Sequence, residues 1–468
     1  MTSPTDRRAD LWAFFALTWA SSVLFHLAGN TRLAPEWGRA LLGLTAVAVL
    51  ARPRTAWLAV PLSLAVLTNV WLEAPLLGNH WLLQGMIALV VLGAVLGSRL
   101  RPADAMVRLT GPVRVLLLVF YAFAALAKLN SDFFQPAVSC AVFYLRESAD
   151  SWGLVGLVDG LSSGPERGVA IVVAAVELSI PLLLFLRRTR PLGVVVALVF
   201  HLVLALDRSH QFFDFSSVLA VCFLLFLDED TRLRIVDTVG VLRTRLATWW
   251  ESGPELLGWF ALATLVGVVV FASGPGRWSA PLHLREAGVI VWIAVGLATI
   301  LLVVHALRSG PVEPDHRLVG LARPRWLYLV PVLAVINGLT PYLELKSGHG
   351  WNMYSNLAMV DGESNHYLVR SGPALGDGHG RLVEITDAGG SSLAFYVDSP
   401  WLLPEVQLID YLADRPGLVV EGVVDGEIVR YVGGAEGGRP EWRQKFVVFR
   451  SVDTVGSTSC QPSFGPAR

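Results

Sequence analysis

The chain has 468 residues, of which 54% are hydrophobic and only 16% are charged, and its formal net charge at pH 7 is −1. Soluble domains usually carry about 25% charged residues, so this composition indicates an integral membrane protein. The near-zero net charge, without a basic tract that contains interleaved aromatic residues, gives no indication of a nucleic-acid partner.

Runs of about 15–22 apolar residues predict about eleven membrane-spanning helices. The predicted spans are 9–29, 38–51, 55–73, 81–97, 113–131, 168–186, 191–206, 212–228, 256–273, 287–307 and 325–341. The first run is too long for the core of a signal peptide and lacks a small-residue cleavage site, which predicts an uncleaved first span.

Arginines lie in alternate loops between these spans, and the positive-inside rule places such loops in the cytoplasm. Arg7 and Arg8 precede the first span, and Arg187, Arg188 and Arg190 follow the sixth. The pattern predicts a cytoplasmic N-terminus and places residues 342–468 outside the cytoplasm.

Polar residues lie at several of the predicted outer ends of spans. Asn79 and His80 stand at the start of the fourth span, and His201 lies in the outer half of the seventh. Because His201 is alone on an apolar helix, an interhelical hydrogen bond is its favoured interpretation. Glu177, inside the sixth span, is interpreted as a structural partner for an arginine. The Cys and His spacing matches no metal site.

Lys128 is one of only three lysines among 37 basic residues, and it lies in the apolar segment VRVLLLVFYAFAALAKLNSDFF. A buried ammonium can lose its proton whereas a guanidinium cannot, and an ionisable residue within a membrane indicates a functional site. The alternative is a structural lysine that extends its ammonium to the interface. Asp132, four residues later, would share a face with Lys128 if the helix continues, which favours the functional interpretation.

The segment GWNMYSN follows the last predicted span. Trp351, Met353 and Tyr354 offer the apolar and aromatic lining that small-molecule sites generally have. Asn352 and Asn356 would add hydrogen-bonding groups on one face if the segment is helical. We predict that the segment contributes to a membrane site rather than to the core of the C-terminal domain. An interfacial aromatic anchor is the alternative.

Residues 342–468 have a different pattern, with short apolar runs such as GRLVEIT, SSLAFYVD, GLVVEGVVDGEIVRYV and QKFVVFRS separated by Gly, Asp and Pro. These are strand and turn signals. The predicted fold is an α-helical integral membrane protein with a transmembrane domain, residues 1–341, and a small β-rich C-terminal extracytoplasmic domain, residues 342–468.

Two of the three cysteines, Cys140 and Cys460, fall on the predicted outer side, whereas Cys222 lies within the eighth span. A bond between Cys140 and Cys460 would tie the β-rich region to the loop after the Lys128 helix. Two free thiols that lie too far apart are the alternative.

Five segments of the chain resemble, in the same order, the vitamin K-dependent γ-glutamyl carboxylase family and the wider group with a horizontally transferred transmembrane (HTTM) domain. The run YAFAALAKLNSDFF resembles that family's helix with a Lys-Leu pair followed by an acidic-aromatic pair. The other segments are NHWLLQG, VELSIPLLLFLRRTR, VFHLVLALDRSHQFFDFSS and TPYLELKSGHGWNMYSN. Phe133 and Asn352 depart from the family, which often has Trp and Asp at these places.

The resemblance implies catalytic roles for Lys128, which matches the base that deprotonates vitamin K hydroquinone, and for His80, which matches a histidine of the later carboxylation step. The implied cofactor is a menaquinol-type reduced vitamin K, with O2 and CO2 as co-substrates and no metal. In that family the deprotonated quinol reacts with oxygen, which yields an epoxide and a stronger base, and this allows removal of a glutamate γ-proton before carbon dioxide adds.

The residues expected to bind the quinone are Asn79, Asp132, His201, Trp351, Asn352, Met353, Tyr354 and Asn356. The expected partners are the lipid quinol, membrane lipids and a glutamate-containing protein or peptide, and the expected location is a bacterial cytoplasmic membrane. A non-catalytic multispan protein that binds a lipid, a quinone or a protein partner is the alternative. A transporter is less favoured, because the two halves show no paired segments of similar broken pattern.

Overall fold

The computed structural model of the chain describes residues 4–30, 34–161, 163–249, 281–311, 324–376, 378–434, 438–453 and 460. Thirteen helices precede the β-rich region within these residues. They are α1 (Pro4–Gly29), α2 (Glu36–Ala51), α3 (Ala59–Glu73), α4 (Asn79–Gly97), α5 (Pro102–Leu126), α6 (Cys140–Ser151), α7 (Val155–Val158), α8 (Ser163–Phe185), α9 (Arg190–Leu204), α10 (Phe212–Leu224), α11 (Glu229–Trp249), α12 (Pro281–Arg308) and α13 (Leu329–Leu339).

Six of the described helices are long and apolar enough to cross a membrane: Thr5–Gly29, Ala56–Glu73, Asn79–Gly97, Pro102–Leu126, Ser163–Phe185 and Ala287–Arg308. Three further predicted spans correspond to shorter apolar helices, α9, α10 and α13 with its preceding turn. The predicted span 38–51 corresponds to α2, of 16 residues, and the predicted span 256–273 lies outside the described residues. The count of eleven spans is therefore not confirmed.

One of the short apolar helices, α10, is a core element of the helical domain. Twelve of the 13 residues of α10 are buried, so its hydrophobic sequence serves the interior of the helical domain. An apolar run of 10–14 residues is generally more typical of a buried core helix than of a membrane span. By contrast, α8 and α12 expose large apolar side chains such as Leu182 and Ile290, as expected of helices that face lipid.

The C-terminal sheet has five antiparallel strands in the order β6-β5-β3-β4-β7. They are β3 (Leu382–Asp387), β4 (Trp401–Pro404), β5 (Val419–Val424), β6 (Glu427–Val432) and β7 (Val452–Asp453), and the two-residue strands β1 (Met359–Val360) and β2 (Glu363–Ser364) pair separately. Asp425 and Gly426 both have positive φ between β5 and β6, which is the conformation that a two-residue Asp-Gly hairpin turn requires.

Within the predicted range 342–468, one hydrophobic core lies between residues 383 and 424. This core contains Val383, Leu403, Leu408 and Val420, with helix α14 (Glu405–Ala413) packed against the sheet. Residues 342–376 instead pack on the ends of the membrane helices. For example, Tyr342, Leu357 and Met359 share a core with Ala127. The last helix before this region ends at Leu339, and the first strand of the five-stranded sheet begins at Leu382.

A disulfide joins Cys140, at the start of α6, to Cys460, 320 residues later in the sequence. Cys222 is buried and free. Of the two interpretations that the sequence allowed, the structure shows the bonded pair. The bond ties the C-terminal end of the described chain to the membrane domain.

Alkylation under denaturing conditions should therefore label one cysteine before reduction and all three after it, because only Cys222 is free. Intact mass spectrometry measures the difference directly. Cys140→Ser should lower the free energy of unfolding by about 2–4 kcal/mol, the usual effect of losing a disulfide that closes a long loop. Labelling of three thiols without reduction would show that the bond does not form.

The side of the membrane on which the C-terminal region lies is a second testable prediction. Single cysteines introduced at the exposed positions Ser371 and Ser163, in a variant without the native cysteines, should react with an impermeant thiol reagent in intact cells, because the arginine-rich loops predict that both lie outside. A cysteine at Arg187, on the opposite loop, should react only after permeabilisation. The reverse pattern would invert the topology.

Candidate functional site

A cavity of about 600 Å³ lies between α5, α6, α8 and α9, beside the GWNMYSN segment. Its walls are mainly apolar and aromatic; they include Phe120, Phe133, Val173, Phe215 and Met353. Two interacting pairs of polar side chains also contribute to the wall: Lys128 with Glu177, and Tyr121 with His201. The cavity thus combines an apolar volume with a few polar groups, as ligand sites generally do.

The Lys128 ammonium forms an ion pair with Glu177 on α8, with 2.7 Å between Nζ and Oε2. Lys128 is only 4% exposed. The same nitrogen lies 3.4 Å from the Ala124 carbonyl and 3.3 Å from the Met353 carbonyl, both possible acceptors. Lys128 is therefore held inside the protein rather than extended to the interface, and Glu177 pairs with a lysine rather than with the arginine that was expected.

Asp132 is not the partner of Lys128, because α5 ends at Leu126 and the two residues do not share a helical face. Buried Asn130 ends the helix: its side-chain amide donates to the Ala127 carbonyl, and its side-chain oxygen accepts from the Phe133 amide. The Asp132 carboxylate instead accepts hydrogen bonds from the Ser131 hydroxyl at 2.8 Å and from the Asn365 amide at 2.9 Å.

His201 makes the interhelical hydrogen bond that its lone position on an apolar helix predicted. Its Nε2 lies 2.8 Å from the Tyr121 hydroxyl on α5, and its carbonyl accepts from the Ser216 hydroxyl. Nδ1 of His201 is buried and has no hydrogen-bond partner within the described part of the chain. A buried polar atom without a partner is costly, so a ligand group in the cavity that bonded to Nδ1 would be stabilised.

His80, the second residue predicted to be catalytic, does not line the cavity. Its Nε2 lies 2.8 Å from Asp214 on α10, and Asp214 also contacts His26 on α1. The Phe215 ring lies between the two histidine sites, with its centroid 5.7 Å from His80 and 5.0 Å from His201. His80 and Lys128 therefore belong to two neighbouring polar clusters rather than to one.

The GWNMYSN segment packs with the core of the helical domain rather than with that of the C-terminal sheet, and it is not helical. Trp351, Tyr354 and Asn356 have positive φ, so successive side chains do not follow a helical face. Met353 and Tyr354 line the cavity. Trp351 lies behind the wall, where its ring packs on Phe120 and its indole N–H donates to the Ala334 carbonyl at 2.7 Å.

The predicted asparagines support the backbone of this region and do not line the cavity. Asn79 accepts a hydrogen bond from the Trp351 amide at 3.1 Å. Asn352 donates to the Ser347 carbonyl at 2.9 Å. Asn356 accepts from the Cys140 amide and donates to the Val138 carbonyl, both at 2.8 Å. These bonds attach the segment to α4 and α6, which positions Met353 and Tyr354 at the cavity.

Two phenols, Tyr144 on α6 and Tyr354, meet at the wall of the cavity with 4.7 Å between ring centroids. Burial raises the pKa of each phenol above its usual range, so both stay neutral. Arg450 lies nearby; burial lowers the pKa of its guanidinium to about 10, while the two phenols act in the opposite direction. This part of the wall joins the cavity to the C-terminal domain.

Sequence reasoning did not identify Tyr121, His26, Glu73 or Asp214 as site residues, and it gave Glu177 a different partner. A signal was present, because His26, Glu73, Glu177 and Asp214 are all ionisable residues inside predicted spans, where such residues are rare and generally functional. Their partners could not be identified from the sequence, since each lies on a different helix. No family model, curated protein or solved structure matches this chain.

Proposed function

We propose that the protein is a membrane enzyme that binds a lipid quinol in the cavity and deprotonates it, with Lys128 as the base. The observation that carries the proposal is the buried Lys128–Glu177 pair in the wall of an apolar cavity. A buried charge pair is costly to desolvate and is weak evidence for a stabilising role. The position of this pair beside a cavity of ligand size instead favours a role in catalysis.

The cavity suits a quinol in size and character. Its volume of about 600 Å³ falls within the roughly 300–1,000 Å³ typical of small-molecule sites. The aromatic side chains Phe120, Phe133 and Phe215 offer faces for a ring system, and the apolar wall suits an isoprenoid tail. Lys128 and His201 provide polar groups for two ring oxygens.

Nζ of Lys128 lies 2.7 Å from Oε2 of Glu177. A lysine amine in its neutral form can accept a proton from a ligand hydroxyl, which an arginine in the same place could not do. Tyr121 holds the His201 ring through their hydrogen bond, so the free Nδ1 atom is presented in one orientation. In this proposal the Lys128–Glu177 pair supplies the base, and the His201 imidazole positions the ligand.

The resemblance to vitamin K-dependent carboxylases extends the proposal to the overall reaction. When bound, a reduced menaquinone supplies the reaction with O2 that ends in an epoxide, and the carboxylation of a glutamate side chain would use CO2. Arg450, Tyr144 and Tyr354 lie where the C-terminal domain meets the cavity, which is a suitable place for the carboxylate of a second substrate.

The alternative is a non-catalytic protein that binds a lipid or quinone. The largely apolar wall of the cavity supports this alternative, since binding alone does not need Lys128. The two functions differ in turnover. Purified protein in lipid should convert reduced menaquinone to its epoxide in the presence of oxygen, and a glutamate-containing peptide with labelled bicarbonate tests carboxylation separately. Quinone binding without any turnover would favour the alternative.

Occupancy of the cavity can be tested by two adjacent substitutions on α8. Val173 lines the cavity, whereas Val172 is 61% exposed on the outer face of the helix. Val173→Trp places an indole in the ligand volume, where overpacking of about 1–3 kcal/mol corresponds to roughly 5–150-fold weaker quinone binding. Val172→Trp, the matched control, should bind normally. Equal affinities for the two variants, measured by quenching of tryptophan fluorescence, would exclude this cavity.

A further inference from the structure

A second polar cluster lies inside the helical domain, separated from the cavity by Phe215. Its ionisable members are His26 on α1, Glu73 on α3, His80 on α4 and Asp214 on α10. The side-chain amide of Asn30 also donates to Asp214 Oδ2, at 2.6 Å. His26, Glu73 and Asp214 are at most 4% exposed. The proposed reaction at Lys128 uses none of these four residues directly.

The donor atoms of three of these residues converge. Asp214 Oδ2 lies 2.9 Å from His26 Nδ1 and 2.8 Å from His80 Nε2, and the three ligand atoms all lie within 4.8 Å of one another. Donors bound at about 2.1 Å from one ion lie about 3.4 Å apart in tetrahedral geometry. Small rotations of the two imidazoles would therefore bring all three atoms to a common ion.

Glu73 occupies the position of an outer-sphere partner. Both of its carboxylate oxygens lie close to Nε2 of His26, at 3.0 and 3.1 Å, so this nitrogen carries the proton and donates. Metal-ligating histidines generally donate their second ring N–H to a carboxylate in this way. The His26 ring is also stacked on Trp81 at 3.4 Å between centroids, which holds its plane.

The charges of the cluster are a second reason to expect a bound cation. Glu73 and Asp214 place two carboxylates in a buried position, and buried charges are generally paired or bound to metal. The nearby imidazoles neutralise both carboxylates only if each histidine carries an extra proton. A divalent cation would balance them with both histidines neutral. Asp214 Oδ1, which is buried and lacks a partner among the described residues, would gain one where the carboxylate binds the ion through both oxygens.

We propose that His26, His80 and Asp214 bind a divalent first-row transition metal, with Glu73 as the carboxylate that orients His26. Two imidazoles and one carboxylate suit zinc, iron(II) or manganese(II). Because the Phe215 ring lies between this cluster and His201, the ion would hold the helix ends beneath the cavity and orient His80. Sequence spacing could not reveal the site, since its ligands lie on three separate helices.

The test is the metal content of the wild-type protein, purified through an affinity tag without histidines and without chelators. Elemental analysis should find about one transition-metal ion per chain. Cobalt(II) added to chelator-treated protein should give visible d–d absorption at one equivalent. His80→Gln and Asp214→Asn should each remove the absorption, and Glu73→Gln should weaken metal binding by about 10–100-fold.

His349→Gln is the matched control. His349 is buried and donates to the Pro75 carbonyl near the start of α4, but it lies outside the cluster. That variant should bind cobalt as the wild type does. If folded wild-type protein contains only trace metal and gives no cobalt spectrum, the cluster is a protonated hydrogen-bond network and the proposal is wrong. The metal content and cobalt spectrum of the wild-type protein decide the question, so the result does not depend on whether a variant folds.

Discussion

Lys128→Ala is expected to reduce quinol turnover by about 10²–10⁴-fold, the usual contribution of a general base. The Lys128 side chain has little solvent exposure, pairs with Glu177 and lines the cavity. No other lysine of the chain lies in this position. The measurement is epoxide formation from reduced menaquinone by purified protein in lipid.

Lys128→Arg should fail almost as completely, because a guanidinium keeps its positive charge and cannot accept a proton from the ligand. Lys445→Ala is the control: Lys445 lies near the C-terminal domain, where it donates to the Trp71 carbonyl, and does not line the cavity. Turnover by the arginine variant at the wild-type rate would disprove the base assignment and favour a structural lysine.

Glu177→Leu is expected to destabilise the fold as well as stop turnover. It leaves the Lys128 ammonium buried without its carboxylate, and breaking a buried pair in this way generally costs about 3–5 kcal/mol. Removing both partners should cost much less, since apolar side chains of similar volume often replace a buried ion pair with little loss. The double variant Lys128→Met with Glu177→Leu should therefore recover most of the stability but none of the activity.

Thermal unfolding in detergent and the epoxide assay, applied to Glu177→Leu, to Lys128→Met and to the double variant, separate the two roles. Recovery of stability without activity is the result expected of a functional pair. If instead Glu177→Leu alone unfolds at the wild-type temperature and retains turnover, the ion pair has neither role. Quinone binding should persist in the double variant, because the apolar wall is unchanged.

Some of the residues that the sequence assigned to a site line one cavity, and others do not. Lys128, identified from its residue type in an apolar segment, lines the cavity together with His201, whose favoured interpretation was an interhelical hydrogen bond. Met353 and Tyr354 were identified from their position after the last span, and they line it too. Asn79, Asn352 and Asn356 were assigned to quinone binding, but their amides bond to protein backbone.

The partner of Lys128 illustrates the limit. A helical spacing of four residues made Asp132 the natural candidate, but Asn130 ends the helix before that spacing can apply. Glu177 lies 49 positions later in the chain and approaches only because α8 packs against α5. A spacing of four residues places two side chains on one face only while the helix continues. The sequence contained only a weak signal for the end of α5.

By itself, the sequence determined the membrane character, the helical domain, the β-rich C-terminal region and the presence of ionisable residues in apolar segments. These features depend on composition and local periodicity, which are encoded over short stretches of chain. The tertiary structure decided how many helices are long enough to span, that Cys140 bonds to Cys460, and which ionisable groups meet. Those outcomes depend on contacts between residues far apart in sequence, such as Lys128 with Glu177 and His26 with Asp214, and only helix packing brings such residues together.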